Sequence, residues 1–198
     1  MSDTPTRLDA AALDQLFRHA RTRNAWRPEV VDEGVWRELY ELVSLGPTSA
    51  NCSPVRLTFL VSDEAKARAL QHMSRTNAAK SGAASAIVIV AHDLDFAEHL
   101  PRLNPRAPGA QHWFGDAAMR QETAFRNGAL QGAYLILAAR ALGLDAGPIS
   151  GFNAKAIDEE FFAGTSLRAN FICMLGYGAD EPLERLPRLA FDEACKVV

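Results

Sequence analysis

The sequence predicts an α/β or α+β sandwich, in which a β-sheet is covered by helices. Helical and strand-like segments alternate along the chain. Residues 86–90 are apolar without polar alternation, which is typical of a strand that is covered on both faces. The chain has 198 residues, 48% of them hydrophobic, which is the length and composition of one globular domain. We therefore expect residues 1–198 to form a single domain.

The order of the elements follows from apolar spacing and from helix-ending residues. Asp32 can cap a helix that carries its apolar side chains at helical spacing, and Gly46-Pro47 ends it. The predicted helices span residues 11–20, 32–45, 63–73 and 119–142, and the predicted strands span residues 56–61, 85–91 and 170–177. Residues 101–115, which contain three prolines, are predicted to be a long irregular segment, and such segments often act as lids.

The helix predicted over residues 119–142 is too long and too apolar for so small a chain. About 24 residues reach roughly 36 Å, and residues 129–139 are apolar on nearly all sides. A helix of that kind is buried all round. Gly128 and Gly132 allow close backbone approach. The helix therefore predicts a second subunit.

Charge and cysteine content exclude several classes of protein. The formal net charge of -3, from 21 basic and 24 acidic side chains, argues against a nucleic-acid partner. Cys52, Cys173 and Cys195 are odd in number and widely spaced, so neither a disulfide framework nor a metal site is expected, and a cytoplasmic location is predicted. Residues 1–10 are too polar for a signal peptide, and residues 129–142 are fewer than the ~20 needed to span a membrane.

Two arginine-containing segments are candidates for binding a phosphate. Residues 21–24 place two guanidinium groups, a hydroxyl and an amide side by side, which suits a phosphate dianion. The alternative interpretation is a basic helix C-terminus that stabilises the helix dipole. Arg185 and Arg188, near the end of the chain, form the second candidate.

Two further loops suit a planar ligand. Residues 45–54 combine two prolines with Thr48, Ser49, Asn51 and Ser53, so that fixed donors and acceptors are available to a heteroaromatic ring. Residues 143–152 are interpreted as a loop whose three glycines allow close backbone approach or a turn with positive φ. The sequence has no dinucleotide fingerprint, phosphate-binding P-loop, nucleophile elbow or His-Glu-x-x-His motif.

Together and in this order, these segments resemble the FMN-dependent nitroreductase family. The family pattern Arg-Ser-x-Arg/Lys is similar to residues 21–24, and its Pro-Ser-Ser-x-Asn-x-Gln-Pro-Trp block is similar to residues 47–55. Its Gly-Leu helix end, its Pro-Ile-x-Gly-Phe block and its closing Gly-Tyr and Arg-Pro tail resemble residues 142–144, 148–152, 176–178 and 185–188.

The departures from the family pattern point to one subgroup. Asn24 stands where a second basic residue is usual, and Ser53-Pro54-Val55 replaces Gln-Pro-Trp. With residues 122–127, these changes resemble the malonic semialdehyde reductases of the Rut pyrimidine-degradation pathway, a subgroup also named NADH dehydrogenase/NAD(P)H nitroreductase.

The resemblance implies a fold and a cofactor site. The fold is a three-layer α+β sandwich with a mainly antiparallel central sheet and a long central helix at the interface of a homodimer, which binds FMN at two shared sites. Arg21, Thr22 and Asn24 would contact the FMN phosphate or ribityl chain, with Arg188 as a further phosphate contact. Ser49, Asn51 and Ser53 would line the isoalloxazine from the other subunit. Ser150 and Gly151 would approach the ring near N5.

The resemblance also implies a reaction in two halves, in which NADH or NADPH reduces the flavin and an oxidised substrate then takes the hydride. The flavin carries the chemistry, so no catalytic side chain is assigned. The implied substrate is malonic semialdehyde, reduced to 3-hydroxypropionate. Alternatives are a broad nitro or quinone reductase and a non-catalytic flavin-binding or sensing dimer. Trp113 and Phe114 belong to the candidate lid, and the candidate partners of an acidic substrate are Arg56, Arg102, Arg106 and Arg126.

Overall fold

A four-stranded antiparallel sheet lies at the centre of the computed structural model, which describes residues 6–180 and 183–198. The strands are β1 (Val55–Leu60), β2 (Ala86–Asp93), β3 (Asp145–Ile149) and β4 (Leu167–Gly176), and they lie in the order β1-β2-β4-β3. Every neighbouring pair is antiparallel. All eight residues of β2 are buried, as the unbroken apolar run predicts. The predicted antiparallel sheet is confirmed.

Helices cover both faces of this sheet. The helices are α1 (Ala10–Leu13), α2 (Glu33–Ser44), α3 (Asp63–Leu70), α4 (Arg75–Ser81), α5 (Leu100–Leu103), α6 (Ala117–Ala141), α7 (Ala154–Phe161) and α8 (Phe191–Ala194). Val88 and Val90 of β2 pack in one core cluster with residues of α2 and α6. Ile87 and Ile89, which point to the opposite face, pack with residues of α3 and α7. The predicted three-layer arrangement is therefore confirmed.

The boundaries of the predicted helices agree where a cap defines them. The Asp32 carboxylate accepts a hydrogen bond from the Gly34 amide and begins α2. The helix predicted to end at residue 73 ends at Leu70, and α4 then begins behind the Ser74 cap. Neither α4 nor α7 was predicted, because α4 is short and mostly polar, and because the signals that bound α7, Asn153 before it and Gly164 after it, were overlooked.

The interpretation of residues 143–152 as a loop was wrong in its centre. Asp145–Ile149 form β3, which pairs with β4. Pro148 lacks an amide hydrogen and is tolerated because β3 is an edge strand. Two of the three glycines do serve the predicted purposes: Gly143 has a φ of 79°, and Gly147 lies under the backbone of Arg23.

The segment predicted to be irregular, residues 101–115, is partly helical and has a core of its own. This segment includes most of α5 and a short 3-10 helix at Ala110–Phe114. Phe114 and Phe96 meet edge to face with ring centroids 4.9 Å apart, and Cys52 is buried in the same cluster. The segment is therefore packed against the 48–53 loop.

The long helix α6 is buried on one side only. Gly128 lies against His92, and an added Cβ at Gly132 would approach the Phe171 ring to 2.4 Å, so the glycines bring α6 close to the sheet. On the outer face, Leu130 is 50% exposed and Tyr134 is 40% exposed. The protomer alone does not provide the burial all round that the sequence predicts. None of the helices within the described ranges has the length and hydropathy to cross a membrane.

A substitution at Gly147 tests the close approach of residues 20–26 to β3. An alanine Cβ would lie 2.8 Å from the Arg23 carbonyl oxygen, so one backbone must move. We expect Gly147→Ala to lower the free energy of unfolding by about 1–3 kcal/mol, measured by urea denaturation. Gly109→Ala is the control, because nothing lies within 4 Å of its added Cβ. Equal stability of the two variants would contradict this packing.

His92, buried beneath α6, predicts a pH dependence of stability. Its Nδ1 is buried without a hydrogen-bond partner among the described residues, while Nε2 lies 3.2 Å from the Gln121 amide nitrogen. Burial lowers the pKa of His92, and the carboxylate of Asp158 partly opposes this shift. The unfolded chain therefore takes up a proton near pH 6.5, whereas the folded chain does so only at lower pH.

Stability should consequently fall as the pH drops below about 6.5, by at most about 1.4 kcal/mol per pH unit from this group. We expect His92→Gln to flatten the profile of unfolding free energy between about pH 7 and pH 5. His112→Gln, at an exposed position, should retain the wild-type slope. A His92→Gln profile as steep as that of the wild type would rule out this origin.

Candidate functional site

Two polar clusters lie at opposite edges of the sheet. β1 begins with Val55, which pairs with His92 at the end of β2. β3 ends at Ile149, which pairs with Ile172 of β4. β1 and β3 are separated by β2 and β4, so three strand spacings, about 14 Å, lie between the two edges. Residues 21–24, beside Ala146, are also displaced along the strands from the loop before Val55. Within one protomer they do not meet.

The first cluster runs along the outer edge of β3. Thr22 forms a parallel bridge with Ala146, and the Arg23 amide donates to the Ala146 carbonyl at 3.2 Å. Arg23 Nε is 3.0 Å from Asp145 Oδ1. The other carboxylate oxygen of Asp145 accepts a hydrogen bond from the Gly178 amide. These contacts hold residues 21–24 beside the strand that leads to Ser150 and Gly151. The four steps along the backbone from Ala146 to Ser150 cover about 13 Å.

The contacts of Arg21 are compatible with both interpretations of residues 21–24, as a phosphate-binding segment and as a basic helix C-terminus. Its Nε donates to the Leu183 carbonyl at 3.0 Å, and its Nη1 donates to the carbonyls of Arg18 and Ala20 at 2.9 Å. Arg185 also donates to the Arg18 carbonyl, at 2.8 Å. Both arginines thus satisfy carbonyls at the end of a π-helical turn, Asp14–Arg18, which follows α1. Arg21 Nη2 forms no hydrogen bond with the described part of the chain and stays available to an anion.

Arg188 is not brought to this cluster by any contact among the described residues. Its Nη1 donates to the carbonyls of Leu186 and Pro187, which are its own neighbours. Asn24 lies on the 21–24 segment, and its side chain makes no hydrogen bond within the described ranges. Of the predicted phosphate contacts, the structure therefore brings Arg21, Thr22 and Asn24 together.

The turn at Ser150 and Gly151 is held by α4. The Gly151 carbonyl accepts hydrogen bonds from the Ser74 amide at 2.9 Å and from Asn77 Nδ2 at 3.1 Å. Asn77 was missed by sequence reasoning, because α4 itself was not predicted. Beside Ser150 lies a cavity of about 340 Å³, whose other lining residues are Ala129, Ala133, Ile136, Pro148, Ile149 and Phe171. This cavity is mostly apolar and is bordered by the outer face of α6.

The second cluster is the 48–53 loop before β1. Ala50, Asn51 and Ser53 have φ values of 52°, 57° and 39°, which residues other than glycine seldom adopt. The Ser53 amide donates to Thr48 Oγ1 at 3.0 Å, and Asn51 Nδ2 donates to the Leu103 carbonyl at 2.7 Å. The loop therefore has one defined conformation, and the amide nitrogen of Asn51 is directed to α5.

Two buried amides of α6 also contact this loop. Asn127 Oδ1 accepts from the Ser49 amide at 2.8 Å, and Gln131 Oε1 accepts from the Val55 amide at 3.1 Å. Sequence reasoning did not assign either residue to the site. The signal was present, since these two amides lie four residues apart on the buried face of α6, whose other buried residues are apolar.

The structure separates the four arginines that could meet an acidic substrate. Arg56 Nη2 lies 2.6 Å from Asp93 Oδ2, and Arg56 Nη1 donates to the Ser53 and Val55 carbonyls, so its guanidinium is occupied. Arg126 pairs with Glu122 on the exposed face of α6. Arg102 and Arg106 are exposed and form no ion pair with the described residues. Both belong to a segment that lies close to the 48–53 loop. Asn104, which stands between them in the sequence, donates from Nδ2 to the Ala50 carbonyl at 3.1 Å.

The two aromatic residues of the candidate lid differ in position. Trp113 is 58% exposed, whereas Phe114 is buried against Phe96. Only Trp113 is therefore free to meet a ligand, and Phe114 stabilises the segment.

Ionisation within the site is set by burial and by hydrogen bonds. Burial favours a higher pKa for Asp93, but hydrogen bonds from the Ser166 hydroxyl and the Asp95 amide, together with Arg56, hold that pKa below its usual range. Burial raises the pKa of the Cys52 thiol to about 11, so this side chain is protonated at neutral pH. Among the described residues, no three His, Cys, Asp or Glu side chains are grouped so that they could hold a metal ion.

A cavity of about 1250 Å³ lies elsewhere, between α2 and the far end of β1. Its lining includes Trp36, Tyr40, Phe59 and Val61 and none of the predicted site residues. The polar clusters, and not cavity size, therefore define the candidate site.

Comparison with known proteins identifies the family of this chain. The model of the nitroreductase family matches residues 5–178. A protein of Xanthomonas oryzae pv. oryzae (strain PXO99A) is 57% identical, with 99% of each chain covered. One of Caulobacter sp. (strain K31) is 53% identical over 97% of this chain and 99% of its own. Both are described as NADH dehydrogenase/NAD(P)H nitroreductase.

Solved structures share the fold at low identity. A protein of Exiguobacterium sibiricum, described as a nitroreductase in complex with FMN, superposes with a TM-score of 0.86 at 20% identity, covering 98% of this chain and 100% of its own. One of Staphylococcus epidermidis, described as an NAD(P)H:FMN oxidoreductase, superposes with a TM-score of 0.83 at 17% identity, with 98% of each chain covered. From the match over residues 5–178 and the relatives at more than half identity, the chain belongs to the nitroreductase family.

Proposed function

We propose that this protein is an FMN-dependent NAD(P)H oxidoreductase that acts as a homodimer, with each FMN held between two protomers. The observation that carries the proposal is the division of the site. The phosphate-binding residues and Ser150 lie beside β3, while the ring-contacting loop lies before β1 at the other edge of the sheet. A second copy supplies the missing half of each site.

The outer face of α6 supports the second copy. Phe125, Leu130 and Tyr134 are large apolar side chains that are 40–51% exposed on this helix. Burial of such a face against another protomer is favourable, because it removes apolar surface from water. The cavity beside Ser150 opens along the same helix, so a partner packed on α6 would also close the site.

The residues present fit FMN. Arg21 precedes Thr22, which bridges Ala146 at one end of the β3 edge, and Arg21 Nη2 has no hydrogen-bond partner among the described residues, so a phosphate would lie there. About 13 Å further along, Ser150 borders the apolar cavity, which suits one face of a flavin ring. The FMN complex of the Exiguobacterium sibiricum protein, with a TM-score of 0.86, supports this fit.

The bound cofactor supplies the hydride-transfer chemistry. The chain's own residues bind the cofactor, orient it and exclude water from the site. Arg21 and Thr22 hold the anionic end, the Ser150–Gly151 backbone faces the ring, and the apolar residues of α6 keep the cavity dry. Cys173, whose pKa burial raises to about 12, and Cys52 are both protonated, so neither thiol acts as a nucleophile.

We further propose that the substrate is malonic semialdehyde, reduced to 3-hydroxypropionate, and that Arg102 and Arg106 bind its carboxylate. Arg56 is occupied by Asp93, and Arg126 is paired with Glu122. A planar guanidinium suits a carboxylate, and both free arginines lie on the segment joined to the ring-contacting loop. Broad reduction of nitro compounds or quinones, and non-catalytic flavin binding, are the competing functions.

The first test is a titration with FMN. Protein purified with FMN should be yellow and should bleach with NADPH or NADH. We expect Arg21→Ala to weaken FMN binding about tenfold to 100-fold, because a charge-assisted contact contributes ~1.5–3 kcal/mol. Arg27→Ala, whose guanidinium pairs with Glu29 nearby, is the control and should change the Kd less than about twofold. Binding of FMN without steady-state NAD(P)H oxidation would favour the non-catalytic dimer.

The second test concerns the substrate. We expect Arg102→Gln and Arg106→Gln to raise the KM for malonic semialdehyde about tenfold or more while leaving the KM for a neutral nitroaromatic within about twofold, since only the acidic substrate loses a charged partner. Arg37→Gln, on the exposed side of α2, is the control. If nitroaromatics or quinones are turned over faster than malonic semialdehyde, the broad reductase is the better assignment.

A further inference from the structure

The 48–55 segment has an unfavourable backbone that something outside it must hold. Ala50, Asn51 and Ser53 all have positive φ values, between 39° and 57°, within four residues. Such conformations persist only where the surrounding structure determines them. The segment's own contacts are limited to a few turns, such as the hydrogen bond of Ser53 to Thr48.

The two ends of this segment are bonded to α6, whereas its middle is bonded to the α5 region through Asn51 and Asn104. Ser49 and Val55, near its two ends, donate their amides to Asn127 and Gln131. These side chains are 3% and 1% exposed, and they lie one helical turn apart on the same face. Asn127 also donates to the Thr123 carbonyl at 2.8 Å, so both ends of its amide are used.

A buried amide without such partners would be unfavourable, and an apolar residue would pack better at the same position. The partners of Asn127 and Gln131 that lie outside α6 are backbone amides of the 48–55 segment. The function of the two side chains is therefore found in that segment and not in the stability of α6.

We propose that Asn127 and Gln131 are positioning residues of the flavin site: they fix the two ends of the 48–55 segment, between which Ala50, Asn51 and Ser53 have positive φ values, so that Ser49, Asn51 and Ser53 are presented to the FMN ring. This inference rests on the proposed function. It adds that the two sides of α6 have different roles. The outer side faces the partner subunit, and the buried side holds the ring-contacting loop in place.

The experiment compares Asn127→Leu and Gln131→Met, made separately, with an Ile157 variant as control. Ile157 is buried in the helical layer on the other face of the sheet. Ile157 is changed to valine or to alanine, whichever lowers the Tm by the same amount as the amide variants do. Amide hydrogen exchange of residues 48–55 is measured without FMN, and the Kd for FMN is measured by fluorescence titration.

We expect exchange in residues 48–55 to accelerate at least tenfold and the Kd for FMN to rise at least tenfold in both amide variants, with neither change in the control. Exchange and Kd equal to those of the control would overturn the proposal. Faster exchange with an unchanged Kd would show that the amides hold the loop but do not position a flavin site. If the wild type binds no FMN, the proposed function fails, and the exchange data still report whether the amides hold the loop.

Discussion

Burial of β2 on both faces is the constraint on which the rest of the structure depends. All eight of its residues are buried, with Val88 and Val90 on one side and Ile87 and Ile89 on the other. A strand covered in this way leaves no room for a ligand at the centre of the sheet. Polar groups must lie at the edges and the ends, and the segments before β1 and beside β3 occupy those positions.

The same constraint explains why α6 is so long. It crosses the sheet close to β2 and β4, where Gly128 and Gly132 allow the approach, and its buried amides reach the loop before β1. Its outer face is left apolar and partly exposed. One helix thus completes the core, holds the loop and, in the proposed dimer, meets the partner.

The fold class and most elements could be predicted from the sequence because they depend on local patterns. The unbroken run in β2 predicts a strand covered twice, and Asp32 marks the start of α2. β3 could not be predicted, because glycine and proline are typical of loops, and only pairing with β4 makes Asp145–Ile149 a strand.

The candidate site was predictable as segments and not as contacts. The Arg21 and Ser49 segments stand out by composition, but the partner of a given side chain depends on residues far along the chain. Arg56 is paired with Asp93, and Phe114 is buried against Phe96. Both contacts depend on tertiary packing, which no local sequence pattern shows. Asn77 was missed for the same reason, since α4 carries few apolar residues.

The contacts of Arg21 and Arg185 also bear on how the chain assembles during synthesis. Arg21 donates to the carbonyl of Leu183, 162 residues later, and Arg185 donates back to the carbonyls at the end of the first helical segment. The sheet can pair as soon as β4 has left the ribosome. The contacts around Arg21 are completed only afterwards, when Leu183 and Arg185 reach residues 18–21.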